Sequence, residues 1–125
     1  MHHFPRLLVV AMFAVGSLVA QVVVKKGAVV YHGSASNTSA PATVQESKVK
    51  EATPEWKKIQ AEAIDTDSAH GKQLLAQMNN RIREAVKAVA EAESRDMVTR
   101  ADDITDKQGR DVVDLTDKVV TKVGE

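Results

Sequence analysis

Residues 80–107 read NRIREAVKAVAEAESRDMVTRADDITDK, a stretch that starts as a regular helix and changes character within a few residues of Glu93. Upstream of the change, Leu75, Met78, Ile82, Ala85, Val89 and Ala92 recur at intervals of three and four, with Leu74 and Val86 widening the stripe. That spacing is a heptad seam and predicts one long amphipathic helix. With a capping residue at Asp67 or Ser68, the helix would reach Glu93 and measure roughly 39 Å at 1.5 Å per residue. Arg81, Arg83, Glu84, Lys87 and Glu91 flank the seam and keep the other faces wet.

Beyond Ser94 the helical period is lost. Met97 and Val98 stand among Asp residues and β-branched neighbours, Gly109 marks a turn, and Val112 and Val113 follow, which predicts two short strands joined through Lys107 to Gly109. The closing DLTDKVVTKV places Leu115, Val119, Val120 and Val123 at helical spacing, with Asp114 or Thr116 positioned to cap a short terminal helix. On the other side of the long helix, Thr53 followed by Pro54 and Glu55 is a helix start, with Thr53 as N-cap and proline at the first helical position. Trp56, Ile59 and Ala63 then share a side, and IDTDSAHG interrupts with turn formers. The reading is an α+β fold: a long amphipathic helix with short flanking helices and a small β body.

The first part of the chain differs in kind. MHHFPRLLVVAMFAVGSLVAQVVVKK has Arg6, an uncharged apolar run from Leu7 to Ala20 and a small residue at Ala20, the pattern of a secretory signal over residues 1–20. If it stays attached, the apolar run to Val24 reaches the lower length limit of a membrane anchor. Export is expected either way, free or held at a membrane. Val29 to Tyr31 favours a short strand, but GSASNTSAPA is linker composition, so residues 21–42 are expected to be a flexible linker and residues 43–125 the folded domain, opening with a strand over Ala42 to Ser47.

Composition narrows the function. Lys and Arg number 17 against 17 Asp and Glu, so nucleic-acid binding has no basic face to rest on. Cys is absent, which excludes disulfides, thiolate metal sites and a Cys nucleophile. His2 and His3 lie in the signal, and His32 and His70 stand alone. Asp102, Asp103 and Asp106 do not follow the ligand order of a cation loop and read as a solvated turn. HGKQ around Gly71 and Lys72 lacks a phosphate loop's first glycine. No catalytic, cofactor or metal residues emerge, and the chain does not read as an enzyme. The residues that matter are apolar: Trp56, Leu75, Met78, Ile82, Ala85, Val86, Val89 and Met97. As structure they are core or a coiled-coil seam; as function they offer a greasy face to a partner copy or a client. With aromatics at 3%, a partner chain is a plausible source of cover for the seam.

These segments resemble the Skp/OmpH family of periplasmic chaperones. Its C-terminal pattern of a helix ending in "I..AVK.VA", a strand of the type "D.V.D" and then "DIT..V" is matched by Ile82, Ala85, Val86, Lys87, Val89, Ala90, Asp96, Met97, Val98, Asp114, Thr116 and Val119. ATVQESKVKEATPEWKKIQAE is a weaker counterpart of the first strand and outgoing helix. The resemblance implies a homotrimer whose strands pair between subunits, and binding of unfolded outer-membrane proteins between long helical arms. Only residues 57–79 lie between Trp56 and Asn80, where the family has two arm helices, so the arms are reduced to a stub. The alternative is a membrane-anchored coiled-coil structural protein of the cell envelope.

Overall fold

The computed structural model describes residues 21–125; the signal or anchor segment, with His2 and His3, lies outside the described residues. The long helix, α3, spans Ala69–Ala92 and follows two shorter ones, α1 over Glu46–Ala52 and α2 over Pro54–Ala61; α4 spans Thr116–Val123. The capping signals read from the sequence for α2 and α3 operate as expected. Ser68 opens α3 by accepting a hydrogen bond from the Gly71 N–H at 3.0 Å. Thr53 accepts from the Trp56 N–H at 3.2 Å to open α2, and its hydroxyl also donates to the Lys50 carbonyl at 2.7 Å, so one buried residue ends α1 and starts α2. α4 has Leu115 at its N-cap position without a side-chain cap, and the Asp114 carboxylate one residue earlier accepts from the Thr116 N–H at 2.8 Å.

Both α2 and α3 end in the same way. The Ile64 N–H donates to the Ile59 carbonyl and the Arg95 N–H to the Ala90 carbonyl, each a bond spanning a left-handed residue, Ala63 at φ 49° and Ser94 at φ 56°. This is the Schellman geometry, and it favours glycine at that position. Ser94→Gly is therefore expected to raise stability by about 0.5–1 kcal/mol. A urea midpoint unchanged or lowered in that variant would show that the left-handed residue carries no strain.

Four strands form the main sheet in the order β2 (Val30–Gly33), β4 (Met97–Arg100), β3 (Pro41–Val44), β6 (Val113–Asp114). β3 runs parallel to both its neighbours and β2 antiparallel to β4. β1 (Val23–Val24) pairs with β5 (Ile104–Asp106) in a separate ribbon. The architecture is thus mixed α+β, with one long helix, three short ones and small sheets. α2 and α3 form a helical hairpin connecting the parallel strands β3 and β4, by way of α1. Its two arms are clamped by the Arg81 guanidinium, which grips the Glu55 carboxylate with contacts of 2.8 to 3.1 Å. That guanidinium holds the Glu55 carboxyl below its usual range against the opposing effect of burial. At the turn the backbone approach is so close that a Cβ on Gly71 would stand 2.1 Å from the Asp65 carbonyl oxygen.

Three expectations are corrected. The flexible linker over residues 21–42 is instead built into the fold, as β1, β2, a single 3₁₀ turn at Ala35–Asn37 and the start of β3. Its small polar composition serves hydrogen bonding: the Asp96 carboxylate, at the head of β4, accepts from the hydroxyls of Thr38 and Ser39 and from the N–H groups of Ser39 and Ala40. The strands after α3 are three, and the Lys107 to Gly109 turn leads from β5 to β6 in different sheets rather than joining a hairpin. The third correction concerns the seam. The residues buried on α3 are Gly71, Leu74, Met78, Ile82, Ala85, Val86, Val89 and Ala90, while Leu75 is half-buried and Ala92 exposed. A strict 3.5-residue seam serves two supercoiled helices; a straight helix lying on a globular core buries a broader stripe that drifts with the 3.6 period. Here that core comes from the same chain, since α1, α2, α4, β2 and β4 all pack against α3. Ala42 and Val44 of β3, Val98 of β4, Val49 of α1, and Leu115, Val119 and Val123 of α4 join it in one cluster.

Candidate functional site

The apolar residues singled out in the sequence separate into two groups. Met78, Ile82, Ala85, Val86 and Val89 belong to the intramolecular core, and Met97 is fully buried on the opposite sheet face from Val98, as strand alternation requires. A client or a second copy reaches these side chains only at the margins of that core. Trp56 and Leu75 are half-buried and pack against the core from outside. The Lys50 ammonium sits 3.9 Å from the Trp56 ring centroid, a cation–π contact that covers part of the indole face. Beside it lies an open depression bordered by Glu51, Lys57, Gln60 and Ala61.

A polar cleft of about 440 Å³ lies at the carboxyl ends of the parallel strands β3 and β4, bordered by Lys25, Glu46, Ser47, Arg100 and Asp103. Such a position is the usual place for a ligand crevice in parallel sheets. Its central group is Asp103, 1% exposed, which accepts from the Val29 N–H at 2.7 Å and from the Arg100 guanidinium at 2.9 Å and pairs with the Lys25 ammonium at 3.2 Å. Burial raises the Asp103 pKa, but the Arg100 and Val29 bonds and the Lys25 charge prevail, and the carboxyl is held below its usual range. The solvated turn expected for Asp102, Asp103 and Asp106 is accordingly corrected at Asp103, because two cations compensate its desolvation; Asp102 and Asp106 are exposed. Arg100 also stands 3.8 Å from Glu46, which accepts a 2.6 Å hydrogen bond from the Tyr31 hydroxyl. Burial, reinforced by the bond to Glu46 and its charge, raises the Tyr31 pKa far above its ordinary value, so this phenol is a fixed donor and not a base. The network is charge-paired.

A second cleft, of about 320 Å³, opens beside β2. Val29 and Tyr31 form one side, Met78, Ile82 and Arg83 of α3 the other, and Lys50 of α1 stands at the rim. Its lining combines apolar surface with the cations Lys50 and Arg83 and the carboxylate of Glu46. Sequence reading missed this constellation because it draws on three elements far apart in the chain, and Arg83 read there as one more charge on a wet helix face. Among the described residues, no three His, Cys, Asp or Glu side chains are grouped to hold a metal ion. His32 is half-buried on β2 and His70 is exposed in the first turn of α3. No family model, no curated protein and no solved structure matches this chain.

Proposed function

We propose that this chain is an exported, non-enzymatic, chaperone-like protein of the Skp/OmpH type, a homotrimer that binds unfolded outer-membrane proteins in the periplasm with arms reduced to the α2–α3 hairpin. The observation that carries the reading is the helical hairpin set between two parallel strands of a small β body, with α4 closing the chain. That is the order the resemblance implies, with the hairpin cut to two turns on its outgoing side. Trp56 and Leu75, the apolar residues that keep surface on this hairpin, are its candidate client contacts.

The alternative, an anchored coiled-coil protein, needs an apolar anchor reaching Val24, a linker behind it and an open seam on α3. Against it stand the pairing of Val23–Val24 with β5, the ordered residues that follow, and the cover α3 finds in its own chain. Gln21 already belongs to the domain, since its side-chain oxygen accepts from the Thr38 N–H at 2.8 Å.

The test is light scattering on residues 21–125, alone and with an outer-membrane barrel protein diluted from urea. A particle three times the chain mass that keeps the barrel protein soluble is the expected result. A monomer that leaves its aggregation unchanged would sink the reading.

A further inference from the structure

We propose that the outer edge of β2 and the cleft beside it form a docking groove for an extended polypeptide segment that carries an apolar side chain and, two residues along, a carboxylate. The proposal rests on the client-binding reading above and sharpens it, by stating how a client segment would be held.

Backbone chemistry supplies the first part of the argument. β2 is the end strand of its sheet and pairs only with β4, so among the described residues its other edge meets no strand. Its residues, Val30, Tyr31, His32 and Gly33, include neither proline nor lysine, the side chains that commonly guard an open edge. An added strand would satisfy the outward-facing N–H and C=O groups of that edge, which is the way many domains capture extended peptides.

Side-chain chemistry supplies the second part. Alternate residues of an added strand project toward the face on which α3 packs. There the 320 Å³ cleft offers Val29, Tyr31, Met78 and Ile82 as apolar surface. Its size is at the small end of ligand pockets, room for one side chain rather than a whole cofactor. The charges around the cleft select the next residue on that same face, two positions along. Arg83 has no hydrogen-bond or ion-pair partner among the described residues, and Lys50 is engaged only by the Trp56 ring. The one carboxylate at the cleft, Glu46, is already bonded by the Tyr31 hydroxyl and lies near Arg100. Two cations therefore face the groove against one carboxylate, which leaves an excess positive charge at Arg83. A carboxylate two residues from the inserted side chain, projecting to the same face, meets that need.

The experiment uses residues 21–125, which contain every described element, and a labelled six-residue peptide with leucine and glutamate two positions apart and threonine between them, followed by fluorescence polarisation. Two comparisons accompany it: the same peptide N-methylated at alternate amides, and the Arg83→Ala protein, whose exposed substitution leaves the fold intact. The expected result is saturable binding, weakened about tenfold by Arg83→Ala and abolished by N-methylation, with amide shifts confined to residues 29–33, 50 and 78–83. Equal binding of the methylated peptide would overturn strand addition, and so would amide shifts elsewhere. Equal binding by Arg83→Ala would overturn the carboxylate pairing. The two proposals fail separately. A chain that suppresses barrel-protein aggregation without binding the peptide ends the groove alone, whereas one that binds the peptide in this pattern without suppressing aggregation ends the client reading alone.

Discussion

Asp96→Ala is expected to destabilise the protein by about 3 kcal/mol, because it removes the acceptor of four hydrogen bonds at once and leaves the buried Thr38 hydroxyl without its partner. Thr38, one of those donors, is 1% exposed. For a domain whose whole stability is on the order of 5–15 kcal/mol, this is a large fraction. Urea unfolding followed by far-ultraviolet dichroism measures it. A midpoint within error of the parent would mean that the loop at residues 34–40 is held by something other than this carboxylate.

The same site predicts a pH dependence. Burial pushes the Asp96 carboxyl up, but the bonds from Thr38, Ser39 and Ala40 outweigh it and hold the group well below the usual carboxylate range. A carboxyl depressed in the folded state stabilises it fully above the unfolded value, near 3.9, and that contribution is lost as pH falls through the interval down to the folded value. The stability difference between the parent and Asp96→Asn is therefore expected to be constant above about pH 5 and to shrink below pH 4. A difference that grows on acidification has the wrong sign and would sink the assignment.

Gly33→Ala is expected to cost about as much, near 3–4 kcal/mol, from two sources acting together. Gly33 has φ +74°, where an L residue pays roughly 1–2 kcal/mol. Its missing Cβ would also stand 1.9 Å from the Asp96 carbonyl oxygen and 3.1 Å from the Met97 Cα, so β2 and β4 must move apart, an overpacking cost of about 1–3 kcal/mol. Gly109 provides the control, with φ +76° and nothing within 4 Å of its would-be Cβ. Gly109→Ala carries only the backbone part. Equal losses in the two variants, measured by thermal unfolding, would show that the approach of β2 to β4 relaxes at no cost.

These two positions also show where sequence reading stopped. Gly33 and Thr38 to Ala40 lie in the stretch whose Gly, Ser, Asn and Thr composition reads as a linker. The partner that orders them, Asp96, is 57 residues beyond Ser39. Nothing within a local window distinguishes a serine facing water from one facing a distant carboxylate. In the same way, the heptad stripe from Leu75 to Ala92 was legible as a helix, but which residues it buries was settled by the sheet and helices that cover it. That cover moved Ala90 in, left Leu75 half-buried and put Ala92 out. The β2 cleft lay further from view still, since Val29, Lys50 and Arg83 meet only after β2, α1 and α3 are assembled.

What the sequence determined by itself is three of the four helices among the described residues and where they start; α1, over Glu46–Ala52, stands where a strand over Ala42 to Ser47 was expected. α3 begins at the Ser68 cap and stops at Glu93, Thr53 and Pro54 start α2, and Asp114 accepts from the Thr116 N–H at the start of α4. Those signals act within one turn of the chain, through hydrogen bonds and side-chain spacing among neighbours, so a linear reading contains them. Only the tertiary structure decided the strand order β2-β4-β3-β6, the clamp of Asp96 on residues 38–40, the burial of Asp103 between Lys25 and Arg100, and the open edge of β2. Each depends on groups far apart in the chain, whose pairing is selected by the free energy of the whole core rather than by any segment's own preference.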